Sequence, residues 1–273
     1  MNSYVTWIDS THFPSHLPVL FNFVMGNGAA EKIGAKRPAF AEALAKLEEL
    51  IIHDKITSRD LKSRFDGCVV EIKNEAVVLT IRIGPTQYYA CMQDVEQSEQ
   101  TAQKIQRGLE QHQDAKYYLT CGMGVVVLPY TEDGRVLLGR RGGNDYNGWW
   151  HGLAGWLPFE RVLSRLDPIT DARRECIEEL GITDQQLEPL EFLGIISFQH
   201  SFETDMVFGT RMSNELIKAI VEKKIWKAAQ DADEHEKFAA FCPQEALLIS
   251  KKLMPSTEFG LHVLYGQQNI HYD

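Results

Sequence analysis

The sequence predicts a protein of the α+β or α/β class, built from two domains. Its 273 residues exceed the roughly 100 to 200 residues that one domain commonly takes. A polar stretch near the middle of the chain separates two regions, and each of them mixes strand and helix patterns. We therefore expect a smaller N-terminal α+β domain at residues 1–115 and a second domain at residues 116–273.

The N-terminal region predicts a helix followed by a small sheet. Residues 38–52 carry an apolar stripe at helical spacing, formed by Phe40, Leu44, Leu47 and Ile51. Residues 68–92 alternate in polarity around a polar turn and predict two or three antiparallel strands. Residues 94–115 are polar on nearly every side, which is typical of a surface helix, so the domain boundary falls near their end.

The second region opens with a predicted hairpin. Within residues 124–141, two apolar runs flank an Asp-Gly pair, Asp133 and Gly134, which is a strong short-range hairpin signal. Further strands are predicted at residues 152–157, 190–198, 204–212 and 236–241, and further helices at residues 214–229 and 243–252. We therefore expect a sheet of several strands with helices packed on it.

Between these strands lies a helix with clear start and stop signals. Asp167 suits the N-cap, Pro168 the first helical position and Gly181 the position just past the end. One arc of the helix is apolar and suits packing on a sheet: Ile169, Ala172, Cys176 and Leu180.

The adjoining arc of the same helix is acidic. It holds Asp171, Glu175, Glu178 and Glu179. Like charges four residues apart repel each other, so this face favours a positive partner, and Mg²⁺ binds carboxylate oxygens, waters and substrate phosphates. A solvated surface without a ligand is the alternative interpretation.

The segment from Arg174 to Ile182 resembles the second half of the Nudix box. Every defined position of the family pattern, Arg-Glu-U-x-Glu-Glu-x-Gly-U with U apolar, is matched. A hairpin and a glycine-bearing strand precede the helix here, as they do in Nudix hydrolases. The resemblance implies a mixed-sheet α/β/α sandwich in the second domain. It also implies hydrolysis of a small molecule in which a nucleoside diphosphate is linked to another group X.

The resemblance further implies a Mg²⁺ or Mn²⁺ site. By the match, Glu178 and Glu179 are metal ligands, and Glu175 is a ligand or the base that orients the attacking water. Arg174 holds Glu175 in place, and the main-chain carbonyl of Gly155 often completes such a site. A later loop often adds an acid; the candidates are Asp231, Asp233, Glu234 and Glu236, of which we favour Glu234 or Glu236.

The first half of the box departs from the family pattern. Counted from Gly155, the family expects glutamate and arginine where this chain has Arg161 and Ile169. The loop before the helix therefore carries an insertion and lacks an aligned acid, for which Glu160 or Asp171 could substitute. This departure leaves the number of metal ions open. It also leaves two alternatives: a Nudix-fold module that binds a nucleotide without cleaving it, and an isomerase or an enzyme for a thiamine-diphosphate-type substrate.

The N-terminal region carries a second, shorter resemblance. Gly84, Thr86 and Tyr88 form a Gly-x-Thr-x-Tyr element. It is similar to a strand in the animal UDP-glucose diphosphatases of the Nudix superfamily, whose Nudix box is also interrupted by an insertion. The resemblance favours nucleotide sugars as substrates, and a chance match is the alternative.

Several other side chains are candidates for substrate binding. Arg140 and Arg141 end a predicted strand, where planar guanidinium groups could hold phosphate oxygens; a surface role is the alternative. Aromatic rings that could stack on a base or sugar are Tyr146, Trp149 and Trp150, although tryptophan is more often a core residue. The isolated histidines are expected to be structural: His151, His200 and His235.

Composition and net charge limit the classes of molecule that the protein is expected to bind. A net charge of −10 disfavours nucleic acid, although arginines and a metal ion can still hold a small phosphorylated molecule. The five cysteines are odd in number and form no CxxC pair, so we expect neither a disulfide framework nor a zinc site. No run reaches the roughly 18 apolar residues of a membrane span. We therefore expect a cytoplasmic protein without membrane contact, and a homodimer is an open alternative.

Overall fold

The computed structural model of the chain describes residues 4–25, 38, 61–96, 98–142, 146–159, 163–249 and 252–266. These residues form one sheet of three strands and one of eight. The helix predicted at residues 38–52 lies outside the described residues except for Pro38. None of the described helices is both long enough and apolar enough to cross a lipid bilayer.

The described strands and helices follow one another in this order. The strands are β1 (Tyr4–Asp9), β2 (Val19–Met25), β3 (Leu61–Lys73), β4 (Ala76–Gln87), β5 (Met123–Tyr130), β6 (Val136–Arg141), β7 (Trp150–His151), β8 (Leu153–Trp156), β9 (Glu191–Phe198), β10 (Thr204–Arg211) and β11 (His235–Phe241). The helices are α1 (Tyr88–Glu96), α2 (Ser98–His112), α3 (Pro168–Leu180), α4 (Asn214–Lys223), α5 (Pro243–Leu248) and α6 (Pro255–Gly266).

The smaller sheet has the strand order β2-β4-β3. β2 runs parallel to β4, whereas β3 and β4 form an antiparallel hairpin. The two turn residues of this hairpin, Asn74 and Glu75, have φ angles of 50° and 57°, which is the backbone conformation of a tight two-residue hairpin turn. The antiparallel pair predicted from the sequence around this turn is therefore confirmed.

The third strand predicted in this region is wrong. The sequence predicts extended chain as far as residue 92, but β4 ends at Gln87 and α1 begins at Tyr88. Cys91 and Asp94, three residues apart, are both buried, which is the spacing of one helix face. Asp94 accepts hydrogen bonds of 2.8 Å from the backbone N–H and the hydroxyl of Thr120. The short apolar run in this segment is compatible with either a strand or a helix, and tertiary contacts stabilise the helix.

The larger sheet has the order β1-β9-β10-β5-β6-β11, with β7 beside β6 and β8 beside β5. β10 is parallel to β5, and the other pairs are antiparallel, so the sheet is mixed as expected. The hairpin predicted around Asp133 and Gly134 is confirmed, because β5 pairs with β6 across this turn.

Helices cover both faces of the larger sheet. Leu137 packs into the cluster that contains Ala172 and Cys176 of α3, whereas its neighbour Leu138 packs into the cluster that contains Phe259 of α6. Successive strand residues point to opposite faces. The predicted α/β/α sandwich is therefore present.

Three further features of this fold differ from the sequence analysis. α6 was not predicted, because its side chains are buried on nearly every side and give no amphipathic pattern. α4 ends at Lys223 rather than at residue 229, since Lys224 adopts a left-handed backbone with a φ of 55°. In addition, β1 pairs with β9, so the first strand belongs to the larger sheet although the domain boundary is predicted near residue 115.

Candidate active site

The acidic helix forms where the sequence predicts it. The Asp167 side chain caps α3 by accepting a hydrogen bond of 3.1 Å from the N–H of Ile169. Gly181, with a φ of 67°, ends the helix and donates its N–H to the carbonyl of Ile177 at 2.9 Å. The apolar arc packs inward, with Cys176 fully buried. The acidic arc consequently faces β8. We call Glu175, Glu178 and Glu179 the acidic wall.

Arg174 ties two members of the acidic wall together. Its Nη2 lies 2.6 Å from Oε1 of Glu175, and its Nη1 lies 2.5 Å from Oε2 of Glu178. Asp171 is farther away, at 3.5 Å from the same guanidinium group. Arg174 therefore holds Glu175, as the resemblance implies, and also neutralises part of the repulsion within the wall.

Glu175 lies directly against the backbone of β8. A Cβ atom added at Gly155 would come within 2.0 Å of Oε1 of Glu175, so only glycine leaves room for this carboxylate. Burial raises the pKa of Glu175 to about 8, although Arg174 acts in the opposite direction. The ionised carboxylate of Glu175 is therefore poorly solvated, and a cation nearby would stabilise it.

Glu179, the third member of the acidic wall, is almost completely buried. Its Oε1 accepts a hydrogen bond of 2.7 Å from the N–H of Ala154, and its Oε2 contacts Nε2 of His235. Burial raises the pKa of Glu179 to about 8 and lowers the pKa of His235 to about 4, so both groups favour their neutral forms here. His235, expected to be merely structural, therefore orients a predicted metal ligand.

The acidic wall borders a cavity of about 270 Å³. Glu175 and Glu178 line it from α3, and Gly155 lines it from β8. Glu234 and Asp231, from the segment before β11, line it as well, and the N–H of Asp231 donates to the carbonyl of Glu178 at 3.1 Å. The cavity is also lined by residues of the N-terminal region: Lys62 of β3, and Tyr88 and Met92 of α1. We call these three residues the N-terminal wall.

The structure separates the two predicted later acids. Glu234 lines the cavity, and burial followed by the charge of Glu179 raises its pKa. Glu236 instead pairs with Arg140, with Oε2 and Nη1 3.2 Å apart, and does not line the cavity. Glu234 is therefore the better candidate, and Glu236 is withdrawn because its carboxylate is engaged outside the cavity.

The predicted substrate-binding residues also divide into two groups. Arg141 and Tyr146 line the cavity. The Nε of Arg141 is buried without a hydrogen-bond partner among the described residues, which leaves a donor for a ligand. Arg140 does not line the cavity, because it pairs with Glu236 and donates to the carbonyl of Gly148.

The two predicted tryptophans do not line this cavity. The indole of Trp150 is 8% exposed and packs edge-on against Phe241, with ring centroids 4.8 Å apart. Trp149 packs against the same apolar cluster and lies outside the cavity lining. Both rings contribute to the core, and no free ring face of theirs borders the cavity.

The donor set of the site suits a hard divalent cation. Carboxylate oxygens from the acidic wall and Glu234, together with the Gly155 carbonyl, are ligands of the type that Mg²⁺ and Mn²⁺ prefer. Burial makes the carboxylates of Glu175 and Glu179 costly to ionise unless a cation is close. Among the described residues, no three acidic, histidine or cysteine side chains already converge as a metal cluster. Arg174 and His235 hold the wall carboxylates instead.

Sequence reasoning missed several residues of the cavity. His151 and Asp205 are both buried there; Nδ1 of His151 has no hydrogen-bond partner among the described residues, and burial raises the pKa of Asp205 to about 6. Lys62, Met92 and Trp156 also line the cavity. None of them belongs to a recognisable motif, and Glu160 of the predicted insertion lies outside the described residues. The one usable sequence signal was at Asp205, because an acidic residue within a predicted apolar strand is unusual and points to a functional role.

Comparison with known solved structures gives distant Nudix relatives. The chain is similar to the NUDIX domain of Shewanella oneidensis NrtR, complexed with ADP ribose (14% identity, 60% of this chain and 98% of that one, TM-score 0.40). It is also similar to a C. elegans Ap4A hydrolase (18% identity, 53% and 95%, TM-score 0.36) and to a NUDIX hydrolase from Nitrosomonas europaea (18% identity, 54% and 73%, TM-score 0.35). No curated protein matches the chain.

The family assignment rests on a sequence match. Residues 122–259, just over half of the chain, match the model of the NUDIX domain. This range contains α3 with its acidic wall, the glycine-bearing strand β8 and the segment with Glu234. The mixed sheet and its two helical layers agree with the fold that the Nudix box implies. The chain therefore belongs to the Nudix family of hydrolases.

Proposed function

We propose that this protein is a Mg²⁺- or Mn²⁺-dependent hydrolase that cleaves the diphosphate of a nucleoside diphosphate linked to X, with nucleotide sugars as the favoured substrates. One observation carries the proposal. The acidic wall lies along a cavity that Arg141 also lines, and the buried Nε of Arg141 has no hydrogen-bond partner among the described residues. A site with carboxylates for a cation and a guanidinium group for phosphate has the two charges that diphosphate cleavage requires.

The residues of the site have distinct expected roles. Glu175, Glu178, Glu179 and Glu234, with the Gly155 carbonyl, would hold the cation. When bound, a divalent cation neutralises the diphosphate and helps to ionise the attacking water. Arg174 keeps Glu175 in place, and Glu175 is also positioned to accept a proton from that water. A pKa near the working pH suits this role, and burial has moved the pKa of Glu175 in that direction.

The N-terminal region supports the choice of nucleotide sugars. Tyr88, the last residue of the Gly-x-Thr-x-Tyr element, lines the cavity, while Gly84 and Thr86 are buried within β4. A tyrosine ring at the cavity edge offers an apolar face and a hydroxyl to a base or a sugar. The element that resembles the UDP-glucose diphosphatases thus borders the proposed active site.

The test is a panel of nucleoside diphosphate derivatives with Mg²⁺ or Mn²⁺. We expect release of nucleoside monophosphate, fastest with nucleotide sugars, and no turnover with EDTA. Glu178→Gln removes one ligand charge without changing the shape of the side chain, and we expect it to lower kcat by about 10³-fold or more. Glu188→Gln, an exposed glutamate outside the cavity, is the matched control. Inactivity of the unaltered protein across the panel would contradict the proposal.

A binding module without turnover is the second candidate. It is favoured by one observation, since Arg174 and His235 already engage the wall carboxylates and no metal cluster is formed among the described residues. ADP-ribose or UDP-glucose would then raise the melting temperature without being cleaved. The stabilisation would be the same in Glu178→Gln, whereas a metal-dependent hydrolase would lose it.

A further inference from the structure

We propose that Lys62, on β3 of the N-terminal sheet, binds a phosphate oxygen of the diphosphate and so helps to determine which substrates the cavity accepts. The inference rests on the proposed function for the identity of the substrate, although diphosphate binding can be measured without turnover. Lys62 belongs neither to the Nudix box nor to the Gly-x-Thr-x-Tyr element. We consider Lys62 because the fold places it in the lining of the cavity.

The backbone fixes Lys62 on both sides. Along one edge, β3 pairs with β4, and Lys62 lies opposite Thr86. Along the other edge, it lies opposite Pro158, next to a hydrogen bond of 2.8 Å from the N–H of Ser63 to the carbonyl of Leu157. The Ser63 hydroxyl adds a bond of 2.9 Å to the carbonyl of Pro158. Because Leu157 directly follows β8, the strand of Gly155, Lys62 is held at a set position beside the acidic wall.

The charges around Lys62 differ from those around the other cavity cations. Arg174 is paired with Glu175 and Glu178, and Nη1 of Arg141 lies 4.0 Å from Glu234. Lys62 has no ion pair with any carboxylate of the described residues; its Nζ lies over the ring of Tyr88, 5.5 Å from the centroid. Glu175 and Asp171 are close enough to act on its charge, but no carboxylate of the described residues lies within ion-pair distance of its three N–H donors.

The surroundings of Lys62 favour an incoming anion. The side chain is half-buried, and burial, followed by the neighbouring Arg174, lowers its pKa. A bound phosphate oxygen would offset this cost by a charge-assisted hydrogen bond. The acidic wall would hold the cation that neutralises part of the diphosphate, and Lys62, on the N-terminal strand beside the wall, would bind another of its oxygens. Such a contact acts on bound substrate and transition state alike, so it should change KM more than kcat.

The experiment compares Lys62→Met and Lys62→Arg with the unaltered protein. Methionine keeps most of the stem and removes the charge; we expect KM for the preferred nucleotide sugar to rise by about tenfold, with kcat within about twofold. Arginine keeps the positive charge, so the KM of Lys62→Arg should be lower than that of Lys62→Met and closer to that of the unaltered protein. Lys73→Met is the matched control, because Lys73 lies on the same strand, is exposed and pairs with Glu71 away from the cavity. Melting temperatures of all variants establish that they are folded; if Lys62→Met does not fold, Lys62→Gln takes its place.

A second measurement separates this inference from the proposed function. α,β-Methylene-ADP cannot be cleaved between its phosphorus atoms, and its Kd in the presence of Mg²⁺ reports diphosphate binding alone. If no panel member is hydrolysed but this Kd rises about tenfold in Lys62→Met, the hydrolase proposal fails and the role of Lys62 stands. If turnover occurs while KM and Kd of Lys62→Met stay within twofold of the unaltered protein, the role of Lys62 is overturned. Equal losses in Lys62→Met and Lys73→Met would overturn it as well.

Discussion

The acidic wall and the N-terminal wall of the cavity differ in how their charges are paired. In the acidic wall every carboxylate is engaged: Glu175 and Glu178 by Arg174, and Glu179 by His235 and the N–H of Ala154. In the N-terminal wall the single cation, Lys62, contacts only the face of Tyr88 among the described residues. One wall is a connected network, and the other is a single charge on a rigid strand.

This difference has a physical reason. Carboxylates that lie close together repel each other and destabilise the folded protein unless cationic groups and hydrogen bonds offset the repulsion. The carboxylates of the acidic wall are therefore already paired before any ligand binds. A lone half-buried ammonium group is tolerated without a partner, because part of it still reaches solvent. Changes in the acidic wall are therefore expected to affect catalysis strongly, and changes in the N-terminal wall to affect mainly substrate affinity.

After the loss of a wall carboxylate itself, the largest effect is expected where Glu175 lies against the backbone of β8. Gly155→Ala places a Cβ atom where Oε1 of Glu175 lies, so the carboxylate must move by an ångström or more. We expect kcat/KM to fall by about 10²-fold, since displacement on this scale disrupts catalytic geometry. Steady-state kinetics at saturating Mg²⁺ measures the effect. The control is Gly266→Ala, where nothing lies within 4 Å of the added atom. Activity within threefold of the unaltered protein would mean that the position of Glu175 is not critical.

An intermediate effect, on stability, is expected at Asp205, which lines the cavity but belongs to neither wall. Burial raises the pKa of Asp205 in the folded protein to about 6, well above the ordinary value of an aspartate side chain. The folded protein therefore binds more protons than the unfolded chain in this window. The Asp205 contribution to stability is present below about pH 4 and is lost as the pH rises through about 6.

Asp205→Asn removes this dependence. The variant should gain on the order of 2 kcal/mol in unfolding free energy relative to the unaltered protein between pH 4 and pH 8. Urea unfolding of both proteins across this range gives the difference, in which the titration of groups distant from Asp205 cancels. A difference that stays constant with pH would show that Asp205 is ionised normally in the folded state.

The smallest effect is expected at the aromatic member of the N-terminal wall. Tyr88→Leu removes a ring face and a hydroxyl at the cavity edge but keeps an apolar side chain. We expect KM for a nucleotide sugar to rise by about threefold to tenfold, the range for one stacking contact, with kcat nearly unchanged. Tyr118→Leu is the control, because Tyr118 lies in the same half of the chain but does not line the cavity. If Tyr88→Leu lowers kcat by a larger factor than it raises KM, the N-terminal wall does not act mainly on substrate affinity, and the difference between the two walls is contradicted.

Much of the second region could be predicted because its signals are local. The cap Asp167, the terminator Gly181 and the Asp133-Gly134 turn act over a few residues of chain, and each is found where predicted. The acidic arc of α3 follows from helical spacing alone. Residues such as Trp150 and Glu236 could not be assigned in this way, because their roles depend on Phe241 and Arg140, which are distant in sequence or on another strand.

The sequence by itself determined the family, the helix that carries the four acids and the sheet hairpins, because motif spacing and turn chemistry are properties of neighbouring residues. The tertiary structure decided which of these side chains share a cavity. It brought Lys62 and Tyr88 from the N-terminal region to the acidic wall and joined His235 to Glu179 across 56 residues of chain. Burial and partner charges arise only when distant segments pack together, so the shifted pKa values of this site and the position of the Lys62 ammonium group have no signal in the sequence.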